Sequence, residues 1–170
     1  MARNIEIKAR VRDAAALAGR VAELADQGPT LIEQDDTFFA CKDGRLKLRM
    51  FSETEGELIF YRRPDEAGPK TSFYLRTPTS DPAGLRETLT LALGQIGRVV
   101  KRRTLFLIGR TRVHIDRVEG LGDFCELEVV LREDEDGAVG VEEARALMRQ
   151  LEIEAGNLIE TAYLDLLAAP

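Results

Sequence analysis

The sequence has little sulfur, no long apolar run and no excess of basic charge. Its two cysteines, Cys41 and Cys125, lie far apart and form neither a metal-ligand motif nor a disulfide framework. The start, M-A-R-N-I-E-I-K, carries no secretory signal and leads directly into structure. Both cysteines are therefore expected to be free thiols, and the protein to be cytoplasmic. No apolar stretch approaches the ~20 residues that span a bilayer, so no membrane role is expected. The net charge of −6 argues against a large nucleic-acid or anionic-membrane footprint. Internal repeats and low-complexity segments are absent as well.

The 170 residues are 44% apolar, enough for one domain over residues 1–170 with a substantial core. The acidic average hides local contrast. Lys101, Arg102, Arg103, Arg110 and Arg112 precede the acidic stretch from Arg112 to Val130. That stretch reads as two strands around the Gly120 and Gly122 turn. Side chains alternate along a strand, so Arg112, His114 and Asp116 share one face. On the returning strand Glu126 and Glu128 share a face, with Cys125, Leu127 and Val129 opposite. If the strands pair, Asp116, Glu126 and Glu128 converge. Carboxylates ~4 Å apart repel by about 4 kcal/mol per pair at an effective dielectric near 20. A cation should sit among them, and an oxygen-only cluster favours Mg²⁺, Mn²⁺ or Ca²⁺ over zinc. The plainer alternative is the solvated outer face of a hairpin. His114 reads as a hydrogen-bonding wall residue, since Mg²⁺ does not favour imidazole.

The remaining patterns alternate helix and strand signals. Asn4 to Arg12 places Asn4, Glu6, Lys8 and Arg10 on one face and Ile5, Ile7, Ala9 and Val11 on the other. Asp13 is expected to cap a helix that runs to about Gln27 and is ended by Gly28-Pro29. Strands are expected over 31–39, after the Asp43-Gly44 turn with Arg45, Lys47 and Arg49 on one face, over 57–63 and over 71–77, with a loop from Pro64 to Pro69. Asp81 and Pro82 start a second helix, and residues 98–108 form a strand with Val99, Lys101 and Arg103 together. Glu133 to Gly137 reads as a solvated turn. Residues 141–151 read as a helix, and Asn157 as the cap of a last one carrying Tyr163. Tyr61 and Tyr163 read as packing residues.

Each strand thus has one apolar face for helices to cover and one dense in both signs of charge. Seven or eight such antiparallel strands would curl into a barrel with the charged faces inward. Buried unpaired cations are costly. A lumen of Lys and Arg needs a many-oxygened anion, and the carboxylates beside it need a divalent metal. The joint requirement is a polyphosphate bridged to the acids by Mg²⁺.

With these residues in place the chain resembles the CYTH proteins, or triphosphate tunnel metalloenzymes, over nearly its whole length. That family includes class IV adenylyl cyclases, thiamine triphosphatases and inorganic triphosphatases. Its E-x-E-x-K signature stands here as Asn4-Ile5-Glu6-Ile7-Lys8, followed by L-K-L-R at Leu46 to Arg49, the pair Lys101 and Arg103, and the segment from Arg112 through Glu128. The resemblance implies an α+β fold: a closed or nearly closed eight-stranded antiparallel barrel with helices outside. It makes Glu6, Asp116, Glu126 and Glu128 metal ligands for Mg²⁺ or Mn²⁺, with Asn4 as a further candidate. It makes Lys8, Lys47, Arg49, Arg63, Lys101, Arg103 and Arg112 phosphate-binding, and Glu6, Lys8, Asp116, Glu126 and Glu128 the catalytic set. Internal salt bridges are the alternative for each.

Asn4 replaces an acid of the signature and removes one charge from a second metal position. Asp36-Thr37-Phe38-Phe39 lacks the tyrosine of the D-x-Y-F that thiamine triphosphatases carry, which counts against that substrate. Tyr61-Arg62-Arg63-Pro64-Asp65, with Lys70, Ser72 and Tyr74, looks more like the class IV cyclase branch. The resemblance implies a small-molecule triphosphate partner, ATP or tripolyphosphate, with no nucleic acid and no membrane; a homodimer is left open. The functional expectation is ATP conversion to cyclic AMP and pyrophosphate. The alternatives are an inorganic or nucleoside triphosphatase and a non-catalytic polyphosphate or nucleotide binder.

Overall fold

Eight antiparallel strands close on themselves in the order β1-β5-β4-β3-β2-β6-β7-β8. They are β1 (Ala2–Arg10), β2 (Gln27–Phe39), β3 (Arg45–Met50), β4 (Gly56–Arg62), β5 (Lys70–Thr79), β6 (Gln95–Ile108), β7 (Thr111–Val118) and β8 (Gly122–Val130). Four helices accompany them among the described residues: α1 (Ala14–Leu24), α2 (Pro82–Leu93), α3 (Gly137–Gln150) and α4 (Tyr163–Ala168). The computed structural model describes residues 2–64 and 68–170. Asp65 of the cyclase-like stretch, and the middle of the Pro64–Pro69 loop, lie outside them. This is the α+β ring of strands with outer helices that the alternating faces imply. Among the described residues no helix is long and apolar enough to cross a membrane.

The outward faces of β1, β7 and β8 supply the main core. Ile7, Val113, Ile115, Cys125 and Leu127 pack against Leu17 and Val21 of α1 and Leu147 and Met148 of α3. Ile5 and Val129 meet Ala144 of α3. Gly140 permits that approach, because a Cβ there would lie 2.6 Å from Leu131 and 2.7 Å from Ile5. With these apolar faces covered, period-two alternation turns Glu6, Lys8, His114, Glu126 and Glu128 inward. At one end of the ring the inward positions become apolar. Phe38, Val99, Val118 and Phe124 gather there with Tyr163 and Leu164 of α4, which fill that end. Both cysteines are free: Cys41 is exposed and Cys125 is buried.

The structure corrects three element boundaries. α1 stops at Leu24, and Gly28-Pro29 lies inside β2, where its pairing with β6 slips register between Gln27 and Thr30. Proline has no N–H for a ladder, so an irregular point is where a strand accepts it. α3 begins earlier than the apolar stripe shows, at Gly137, with Asp136 accepting from the Ala138 N–H at 3.0 Å. Asn157 caps no α-helix. It ends a single 3₁₀ turn (Ala155–Asn157), and α4 starts only at Tyr163. The intervening backbone is held by β1, with the Ile159 N–H donating to the Lys8 carbonyl at 2.9 Å and Leu158 bridged to Ala9. The Ile159 amide is thus used by the strand and the Leu158 amide by the Ala155 carbonyl of the 3₁₀ turn, and neither serves a helix.

Candidate functional site

The inward faces line one cavity of about 300 Å³. Register dictates who meets whom. Glu6 and Lys8 on β1 lie opposite Glu128 and Glu126 on β8, while Arg112 and His114 on β7 lie opposite the same two acids from the other side. Directly opposed Cβ atoms sit ~5 Å apart, so these six side chains share one wall.

On that wall the Glu126 Oε2 accepts from Arg103 at 2.6 Å, and its Oε1 lies 3.5 Å from Lys8 Nζ. Arg112 reaches Glu128 Oε2 at 3.0 Å and donates to the Tyr74 hydroxyl at 3.3 Å. Arg63 pairs with Glu6. Burial pushes the Glu6 carboxyl upward; Arg63 opposes that, and the charges of Glu126 and Glu128 reinforce it. Burial would raise Glu126 too, but Lys101, Arg103 and Lys8 hold it well below the usual carboxylate range. Burial depresses the pKa of His114, with Arg103 beside it adding to the effect, and so favours the neutral ring. The His114 Nδ1 is buried without a hydrogen-bond partner. A ring nitrogen of His114 and oxygens of Glu126 and Glu128 all lie within 4.8 Å of one another. Asn4 is 3% exposed, lines the same cavity and leaves its Oδ1 without a partner.

A second cluster lies on β2 and β3. Asp36 accepts from Lys47 Nζ at 2.7 Å and from Arg49 Nε and an Arg49 NH₂ at 2.8 and 2.7 Å. The hairpin pairs residue 36 directly with residue 49. A third cluster is at the apolar end. Asp116 accepts from Lys101 at 2.7 Å, from two nitrogens of Arg103 at 2.7 and 2.6 Å, and from the Tyr163 hydroxyl at 3.2 Å. Tyr163 also lies beneath two ammonium groups, with Lys8 Nζ 4.0 Å and Lys101 Nζ 4.8 Å from its ring centre.

All the expected phosphate-binding residues, Lys8, Lys47, Arg49, Arg63, Lys101, Arg103 and Arg112, line the one cavity, as do Glu6, Glu126, Glu128 and Asn4. Asp116 does not. It is fully buried behind Lys101 and Arg103, and both its oxygens are engaged by them. Its place in the structure is that of an anchor for two basic side chains. Arg10 is exposed, with its guanidinium over the Phe124 ring. Three residues with a clear place in the site escaped the sequence pattern: Asp36, Gln34 and Tyr163. The parity of β2 was the available signal for the first two, since Gln34 and Asp36 alternate with Asp35. For Tyr163 there was none, because a tyrosine on a short helix looks the same whether it packs outside or inside a ring.

Two lysines carry a testable pH dependence. Burial, with Arg49 beside it, pushes Lys47 down to about 7 against the pull of Asp36, and burial pushes Lys8 down to about 8. A bound polyanion favours the charged ammonium. Above these values the free protein must take up protons to bind, so tripolyphosphate affinity should fall as pH rises from 7 to 9. Calorimetry at pH 8 in two buffers of different ionisation enthalpy should show net proton uptake. Replacing Lys47 with arginine should reduce that uptake, and equal uptake by both proteins would refute the assignment.

The family model of the CYTH domain matches residues 2–163. A Methanocaldococcus jannaschii protein named "Putative adenylate cyclase" is 24% identical over 96% of this chain and 97% of its own. A solved structure from Pyrococcus horikoshii superposes with a TM-score of 0.85 at 23% identity, covering 96% of this chain and 98% of that one. One from Hippeastrum does so with a TM-score of 0.64 at 15% identity, covering 99% and 95%. The structural likenesses establish the fold. With the family match over nearly the whole chain, they place the ring and its charged lumen: the protein belongs to the CYTH domain family.

Proposed function

We propose that the protein is a divalent-metal-dependent enzyme that holds a triphosphate inside the ring of strands and acts most like a class IV adenylyl cyclase, converting ATP to cyclic AMP and pyrophosphate. The observation that carries this reading is the cavity onto which the seven expected Lys and Arg side chains face from five strands or their ends, with three carboxylates on one wall. Five acids, Glu6, Asp36, Asp116, Glu126 and Glu128, pair with these seven cations, so positive charge is in excess. A chain of phosphates would supply the missing negative charge through charge-assisted forks. Ile32, Phe51, Ile59 and Leu105 also line the cavity and offer a nucleoside an apolar surface. The Methanocaldococcus relative's name supports the cyclase reading.

The donor set fits a divalent ion. Glu6, Glu126 and Glu128 supply hard oxygens, and the unpartnered Asn4 Oδ1 supplies a further one. When bound, the ion would withdraw charge from phosphate oxygens. The chain's own part is positional and electrostatic. Lys47 and Arg49, set by Asp36, and Lys101 and Arg103, set by Asp116, would grip successive phosphates from the two strands that flank β2. In the cyclase reaction the 3′-oxygen attacks the α-phosphorus, the bond to pyrophosphate breaks, and these cations neutralise the charge that builds on the leaving group. In a triphosphatase water attacks the terminal phosphorus instead, and the same residues serve with the chain of phosphates reversed. The Hippeastrum protein, described as revealing a dominant triphosphatase activity, keeps that second reading in view.

The test is incubation with Mg²⁺ or Mn²⁺ and either ATP or tripolyphosphate, with cyclic AMP and orthophosphate assayed separately. Cyclic AMP from ATP is the expected product. Orthophosphate as the main product assigns the second reading. Neither product, with tight tripolyphosphate binding by calorimetry, makes the protein a binder and removes the enzyme reading.

A further inference from the structure

The residue that fits the expected chemistry least is His114. It is the one histidine of the chain. Its side chain is 5% exposed, and its Nδ1 has no hydrogen-bond partner. Buried polar atoms are normally satisfied, so this one asks what it faces. The Nδ1 lies 3.7 Å from Glu126 Oε2 and 3.8 Å from Glu128 Oε1. Both distances exceed a hydrogen bond. An anionic phosphate would be repelled from a point shared with two carboxylates. A cation would be drawn to it, and a neutral imidazole can give a cation its lone pair.

We propose that His114 is a metal ligand, its Nδ1 joining one oxygen each of Glu126 and Glu128 in a mixed nitrogen–oxygen site that takes Mn²⁺ and Co²⁺ in preference to Mg²⁺. The proposal rests on the metal-dependent reading above and goes beyond its oxygen-only ligand set. A ring nitrogen of His114 and one oxygen of each acid lie within 4.8 Å of one another, slightly wider than the ~4.2 Å that spans two opposite ligands of one ion, and Nδ1 itself is 3.7 and 3.8 Å from its two acids. A small side-chain movement closes them round one centre. Their current partners allow it. Arg112 occupies Glu128 Oε2 and leaves Oε1 toward the ring. Arg103 occupies Glu126 Oε2, but Asp116 already accepts from two nitrogens of the same guanidinium. Arg103 can release Glu126 and remain paired. Mg²⁺ holds oxygen ligands and water and gains little from an imidazole, whereas affinity for a site with nitrogen rises from Mn²⁺ through Co²⁺.

The test is titration of the metal-free protein with MgCl₂, MnCl₂ or CoCl₂ by calorimetry, with pulsed EPR of the Mn²⁺-loaded protein. Directly bonded ¹⁴N coupling is expected in the EPR spectrum of the unaltered chain. His114→Gln should remove that coupling and weaken Mn²⁺ and Co²⁺ about tenfold, while changing Mg²⁺ by about twofold at most. Retained tripolyphosphate binding by the variant shows that its cavity is intact. Mn²⁺ bound without nitrogen coupling in the unaltered protein overturns this inference and leaves the metal-dependent reading standing. No Mn²⁺ binding, with or without tripolyphosphate, overturns both.

Discussion

Replacing Glu126 with glutamine should lower kcat/KM for metal-dependent triphosphate turnover about a thousandfold, or about 4 kcal/mol of transition-state stabilisation. Glu126 is the point where the charged walls meet. Lys8 faces it across the β1–β8 ladder, His114 across the β7–β8 ladder, and Arg103 reaches it from β6. Glutamine keeps the shape and removes the charge. The site loses a candidate metal ligand, and Lys8 loses the acid that most strongly sustains its protonation against burial. The fold should survive, because Arg103 keeps both bonds to Asp116. The measurement is kcat/KM with Mn²⁺ and either ATP or tripolyphosphate, beside a melting curve. Retention of a tenth or more of the activity at unchanged Tm would show that Glu126 neither holds metal nor organises the cations.

Much of this was legible because β-strands alternate strictly. Once Ile5, Ile7, Val113 and Leu127 needed cover, the opposite parity had to turn inward, and residues 6, 8, 112, 114, 126 and 128 followed from arithmetic. Parity says nothing about depth along the lumen. Asp116 has the parity of Arg112 and His114, yet it lies where the inward face turns apolar, next to Val118 and Phe124. The same acid that reads as a ligand in sequence is therefore an anchor in the structure. Depth is set by where α4 fills the ring, and α4 is placed by the backbone bonds of 158–159 to β1. That is a long-range contact with no local sequence signal. Asp36 was missed for a different reason. Its segment was read against a family motif at residue 38, while its own charge partner, Arg49, lies across a hairpin whose register only the fold supplies.

Asp36→Ala should be the most destabilising single change at the cavity. Asp36 is 2% exposed and is the sole carboxylate hydrogen-bonded to both Lys47 and Arg49 among the described residues. Burial alone would raise its pKa, but Arg49 and Lys47 hold it far below the usual range. Removing one partner of a buried ionic cluster costs about 3–5 kcal/mol. For a domain of this size that is a Tm lower by roughly 10 °C or more. The loss should be greatest well below pH 7, where Lys47 stays charged in both proteins, and should ease as pH rises toward 7, because Lys47, held at about 7 only with Asp36 beside it, sheds its proton earlier without its acid. A ligand separates this account from a simple packing defect. In the unaltered protein tripolyphosphate must compete with Asp36 for Lys47 and Arg49; in the variant it meets two unneutralised cations. Saturating tripolyphosphate should therefore raise the variant's Tm by several degrees more than the native chain's, since the ligand-induced shift follows affinity for the folded state. An equal ligand shift in both proteins, or a variant that melts within about 3 °C of the native chain, would mean that Asp36 does not hold the two cations.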